Sequence, residues 1–199
     1  MTSHKESTIQ GEAVELQRRG FIFDTLGLGL SATAVAILGG YAGLSKAAAA
    51  EHPADTASDV RILGTALSAE REAIAAYQLG AESSLLEPAV LKVAIQFQVH
   101  HKEHAEVLAS TIRDLGGKVP AEAERYNFPT HTLKQQQDVL EFAAGLERGA
   151  VSAYAGAMPL FTHRDLSKAA ASILADEAMH WAILRQTLGL DPVPGAFFS

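Results

Sequence analysis

Residues 69–81 read AEREAIAAYQLGA, and residues 146–157 read LERGAVSAYAGA. With one gap after the tyrosine, the two share Glu-Arg, an alanine, Ala-Tyr and Gly-Ala. Glu70 then superposes on Glu147 and Tyr77 on Tyr154, with each tyrosine seven residues beyond its glutamate. A helical segment that returns with its polar residues in register points to a duplicated unit.

The periodicity around this repeat is helical. From Asp55 onward apolar residues recur at steps of three and four, with no alternating strand pattern. The spacing predicts a first helix over about 57–84 with Leu63, Leu67, Glu70, Ile74 and Tyr77 on one face. A second starts near Pro88, a good first-turn residue, and stops at Gly116-Gly117, with Phe97, His101, His104 and Leu108 inward. After a loop over 118–130, a third covers about 132–158 with Leu140, Glu147, Val151, Tyr154 and Met158 inward. The fourth covers 164–188 with Leu166, Ile173, Glu177, His180 and Leu184 inward. Helices two and four repeat more weakly, His104 on His180 and Leu108 on Leu184. Glu70 to His104 spans 34 positions and Glu147 to His180 spans 33. The expected fold is all-α: an antiparallel four-helix bundle, a duplicated hairpin with a long crossover between helices two and three.

The otherwise apolar seams carry charge at matching heights. A lone ionised carboxylate inside a bundle costs several kcal/mol unless it is paired or binds a cation. Glu70, Glu147 and Glu177 converging without a cation would repel one another and have to protonate. His104 and His180 add neutral nitrogen donors, and Glu177-x-x-His180 puts both side chains on one helix face. Oxygen and imidazole together suit iron, manganese or zinc rather than calcium. His100 and Glu103 lie to either side of the seam and are expected on the flank, the alternative being that one of them swings in where His101 does not ligate. Glu72 and Glu106 are expected to be solvated. His52, His131 and His163 fall in loops or at helix ends, where no role is expected. Gly145, Gly149 and Gly156 weaken helix three, which predicts close helix contact there. The tail Phe197-Phe198 is expected to cover a bundle end or dock a partner.

This order of ligands, with the repeated Glu-x6-Tyr, resembles the ferritin-like superfamily, and in particular exported bacterial ferritin-like domain proteins. The resemblance covers about residues 59–190. It implies a di-metal site in which two helices give one Glu each and two give Glu-x-x-His. Carried across by position, the ligands are Glu70, His104, Glu147, Glu177 and His180. The departure is His101, where the family pattern has a bridging carboxylate; with it, the set is three Glu and three His. Two metal ions are implied, iron first, with manganese or zinc as alternatives. A neutral ligand in place of an anion weakens charge compensation for the ferric state. Tyr77 and Tyr154 are expected as core aromatics; the alternative is that their hydroxyls hydrogen-bond a ligand carboxylate or carry an electron. The implied activity is a ferroxidase- or peroxidase-type oxidoreductase that oxidises Fe(II) or removes peroxide or oxygen. The alternative is a non-catalytic bundle with a structural metal or polar core, acting as a stress or interaction protein. Homo-oligomerisation stays open.

The remaining sequence narrows the setting. The chain has 199 residues, 48% of them hydrophobic and 20% charged, enough for one compact domain. A net charge of -7 without a basic stripe argues against nucleic acid. The absence of cysteine excludes disulfides, thiolate sites and iron–sulfur modules. At the N-terminus, Arg18-Arg19 with Phe21 precedes a Gly- and Ala-rich apolar run and then AAAAE, residues 47–51. That order resembles a twin-arginine export signal. It predicts a signal peptide over 1–50, cleaved or kept as an anchor, and a bundle over 51–199 in the periplasm or cell envelope. The export machinery is the implied partner.

Overall fold

In a computed structural model that describes residues 53–198, helix α1 runs over Pro53–Glu82 and α2 over Pro88–Asp114. Helix α3 covers Gln136–Ala157, a short 3-10 turn Met158–Leu160 follows, and α4 covers Arg164–Thr187. Among the described residues there is no strand, and no helix is long and apolar enough to cross a membrane. The expected export signal over 1–50 lies outside the described residues.

Local chemistry sets the ends of these helices. Gly116 closes α2 at φ 73°, a conformation that costs glycine nothing. Its amide donates to Arg113 O and that of Gly117 to Ile112 O, satisfying the last carbonyls. A Cβ on Gly117 would lie 2.6 Å from Val60 Cγ1, so glycine is needed where the chain crosses α1. Helix α3 starts four residues later than its periodicity suggests. The Asp138 carboxylate accepts from the amides of Lys134 and Gln135, which places the cap at Gln135. Helix α4 is capped from a distance: buried Asp59 of α1 accepts from the amides of Thr162 and His163. His163 Nδ1 lies 2.5 Å from the same carboxylate, so this histidine has a structural role that its place at a helix end did not suggest.

Contacts fix the order α1, α2, α4, α3 around the bundle. Gln98 of α2 donates to Ile74 O of α1, while Gly80 of α1 faces Val139 of α3. The crossover starts beside Val60 and ends where Gln136 accepts from the Glu87 amide, so it runs along α1 from Val60 to its C-terminal end, about 33 Å at 1.5 Å per residue. Arg71 of α1 donates to Pro120 O, and Phe128 meets Phe142 of α3 edge-on at 5.8 Å, pinning its two halves to the bundle. The core has two apolar parts: Leu67, Ile112, Leu166 and Ile173 on one side, Tyr77, Phe97, Leu140 and Leu184 on the other. Between them sits a polar layer. The C-terminal tail returns along α4, where Phe198 meets the Trp181 ring edge-on at 5.3 Å, while Phe197 stays exposed.

Candidate metal centre

The polar layer contains all six residues singled out by the repeat. Helix α1 supplies Glu70, α2 His101 and His104, α3 Glu147, and α4 Glu177 and His180. Five are at most 3% exposed, and the His104 side chain is 13% exposed. Burial this deep commits the cluster to internal partners.

Two overlapping groups of donors result. Glu70, His101, His104 and Glu177 each offer an atom within 4.8 Å of the others, and so do His101, Glu147, Glu177 and His180. Glu177 belongs to both and divides its oxygens: Oε1 lies 3.1 Å from His104 Nδ1, Oε2 lies 3.4 Å from His180 Nδ1. Neighbouring ligands bound at about 2.0–2.2 Å to one ion sit roughly 3.0–3.4 Å apart. Both pairs match that spacing. Neither pair has hydrogen-bond geometry, and these four buried atoms have no hydrogen-bond partner. Orphaned buried polar atoms call for an explanation, and donors of this kind aimed at a common point fit metal ions.

His101 behaves differently. Its Nδ1 lies 2.8 Å from Glu70 Oε2 and its Nε2 3.3 Å from Glu147 Oε1. Burial would lower its pKa, but the two carboxylates raise it to about 10. At neutral pH the imidazolium therefore bridges the two glutamates that begin each half of the repeat. At the position where the resemblance implied a bridging carboxylate, the chain places this imidazole.

The tyrosines close the layer crosswise. Tyr77 donates to Glu147 of the other half, and Tyr154 donates to Glu70 across 2.5 Å. Burial and the adjacent carboxylates hold both phenols well above their ordinary pKa, so they remain donors. Burial would raise Glu70, yet hydrogen bonds from His101 and His104 hold it at about 2. Glu147 is likewise lowered, because His101 and His180 outweigh its burial. For Glu177 burial prevails and the pKa is raised. Carboxylates bring His104 to about 9 and His180 to about 11 against their burial.

One contributor was missed in the sequence, and another was set aside. Asp176 Oδ2 lies 3.2 Å from His180 Nε2 and 3.5 Å from His104 Nε2. It also lies 3.1 Å from His100 Nδ1, so His100 faces this network instead of an idle flank. Asp176 can thus hold the outward nitrogens of both histidines whose inward nitrogens have no partner. The signal was available: the register that puts His104 on His180 and His101 on Glu177 also puts His100 on Asp176.

The three glycines of α3 correct another expectation. A Cβ at Gly145, Gly149 or Gly156 would meet nothing within 4 Å. They line an open cleft between α1 and α3 of about 530 Å³, with Ala66, Ala69, Ala150 and Ala153. Glu70, His101, Glu147 and Tyr154 also line it, so the cleft reaches the polar layer. Small residues here leave a cleft beside the buried layer; they do not bring helices together.

The fold and the layer define an all-helical bundle with a glutamate–histidine cluster able to hold metal ions. The chain belongs to the ferritin-like domain family, whose sequence profile matches residues 58–190. Its fold is similar to that of a conserved hypothetical protein, rv2844, from Mycobacterium tuberculosis, with a TM-score of 0.63 and 21% identity, covering 72% of this chain and 99% of that one. It is also similar to the structure described as ferritin-like, diiron-carboxylate proteins from Bacillus anthracis str. Ames, with a TM-score of 0.59 and 20% identity over 68% of this chain and 98% of that one. No curated protein sequence matches.

Proposed function

We propose that the chain is a di-metal protein that oxidises Fe(II) or reduces peroxide or oxygen. The observation that carries this reading is the set of four orphaned donor atoms: His104 Nδ1, His180 Nδ1 and both oxygens of Glu177. Glu70 and His104 would hold one ion and Glu147 and His180 the other, with Glu177 shared and His101 contributing where it leaves its carboxylate partners. Bound iron would supply the electrons for reducing oxygen or peroxide. The chain's own residues do the rest. Tyr77 and Tyr154 fix the carboxylates, Asp176 orients the histidines, and the two apolar core clusters keep water away. The cleft between α1 and α3 gives small substrates a way in.

The diiron-carboxylate description of the Bacillus anthracis fold relative makes iron the first metal to test, with manganese and zinc next. We further propose that the twin-arginine pattern at Arg18-Arg19 sends the protein to the periplasm or cell envelope through that export machinery. Changing both arginines to lysine should leave it in the cytoplasm.

A second reading has one observation in its favour. The His101 bridge between Glu70 and Glu147 needs no ion, which suits a non-catalytic bundle with a polar core. Metal analysis of purified protein followed by anaerobic Fe(II) loading and exposure to oxygen or peroxide separates the two. Two bound irons and a ferric absorbance supports the first; metal-free protein whose stability ignores Fe(II), Mn(II) and Zn(II) would falsify it.

A further inference from the structure

His100 and Asp176 lie outside the six-residue core, on the face where α2 meets α4. Their side chains are 19% and 23% exposed, whereas His180 beside them is 2% exposed. They form the place where the buried cluster meets water.

We propose that His100, Asp176 and the outward nitrogen of His180 form a third, exchangeable site for a divalent transition-metal ion, and that ions load the core through it. The inference rests on the core being a metal centre. Its chemistry is two imidazole nitrogens and one carboxylate oxygen, donors that suit first-row divalent ions. Its dimensions also fit. His100 Nδ1 lies 3.1 Å from Asp176 Oδ2 and 2.9 Å from His180 Nε2, and His180 Nε2 lies 3.2 Å from Asp176 Oδ2. These three edges compare with the roughly 3.0–3.4 Å between neighbouring ligands on one ion.

His180 connects the two places. Its Nδ1 faces Glu177 in the core, and its Nε2 faces the outer group. With an ion on each side the ring is an imidazolate, its last proton released past Asp176 to solvent, so the third ion binds more tightly as pH rises. Phe97 stacks on its ring at 4.0 Å and holds it in that orientation. Only His100 and Asp176 belong to the outer group alone, so water must complete the coordination, and binding there is weaker than in the core. A weak site at the solvent boundary, one imidazole away from the buried ligands, suits transfer.

The competing explanation is that the three side chains only hydrogen-bond one another, with Asp176 steadying His180. In that case removing His100 changes no ion count. The test is a titration of the metal-free full-length protein with Co(II), followed by calorimetry and visible absorption, with uptake timed by stopped flow. Wild type should take up two tight equivalents and a third, weaker one. His100→Ala should lose the third, keep the first two and load them several-fold more slowly, and His100→Gln should do the same. A third equivalent that persists in both variants, or a wild type that saturates at two with unchanged loading in the variants, overturns the outer site and leaves the core reading intact. A wild type that binds none overturns both.

Discussion

The phenol of Tyr154 lies 2.5 Å from Glu70 Oε1 and reaches it from the opposite half of the repeat. Glu70 is buried, so losing this donor leaves an oxygen without a partner. Tyr154→Phe should therefore destabilise the metal-free protein by about 1–3 kcal/mol. In a chain of this size that corresponds to roughly 2–4 °C of Tm per kcal/mol. Tyr77→Phe should act alike through Glu147. Because both glutamates contact His101, the double variant should depart from the sum of the singles. Thermal melts of the three variants are the check; melting at the wild-type temperature would show that the crossed hydrogen bonds contribute nothing.

His101→Glu tests the departure from the family pattern. The substitution replaces a cation between Glu70 and Glu147 with a fourth carboxylate. Without metal, like charges should crowd the layer and lower Tm. With iron, the added anion should improve charge compensation and raise occupancy or oxidation rate. The two effects have opposite signs, so melts with and without Fe(II) should diverge more than in wild type. Equal iron content and equal rates in the two proteins would place His101 outside the ligand set.

Much of this architecture was legible because duplication makes pattern visible. The Glu-x6-Tyr repeat located Glu70, Glu147 and both tyrosines, and helical stepping put His104, Glu177 and His180 on inward faces. Asp176 was legible too, four residues before His180 and in register with His100, but its place beside Glu177 reads as a flank. Other features were opaque for physical reasons. The start of α3 depends on Asp138 capping the preceding amides, which outweighs apolar spacing. Glycine within a helix is ambiguous in sequence: it permits close contact or leaves a space. At Gly145, Gly149 and Gly156 it leaves space.

The histidine pKa values imply a pH signature. His104, His101 and His180 stand at about 9, 10 and 11 in the folded protein, above the ordinary 6.5. Groups raised in this way contribute stability that is complete below pH 6.5 and lost as pH rises through 9–11. Glu70 works in the other direction: its contribution is present above 4.5 and lost as pH falls through about 2. Metal ions must displace the histidine protons, so binding should release protons and tighten with pH. The Tm gain on adding Mn(II) should therefore grow from pH 6 to pH 8.5, while the metal-free protein grows less stable over the same range. A constant gain across that range would mean that these histidines do not bind the metal.

Gly149→Leu tests the cleft between α1 and α3. A Cβ there meets nothing within 4 Å, so the helix should accept the side chain, and replacing glycine should even favour it. The added atoms would project into the about 530 Å³ passage that Glu70, His101 and Glu147 line. None of these residues is altered, so metal content should match wild type. If substrate reaches the cluster through this passage, KM for peroxide should rise or kcat/KM fall, with Tm unchanged or higher. Gly156→Leu, also lining the cleft but farther along α3 from Glu147, should have a smaller effect. Equal kinetics in both variants, at equal metal content, would show that substrate arrives by another path, of which the α2–α4 face beside His100 is the first to examine.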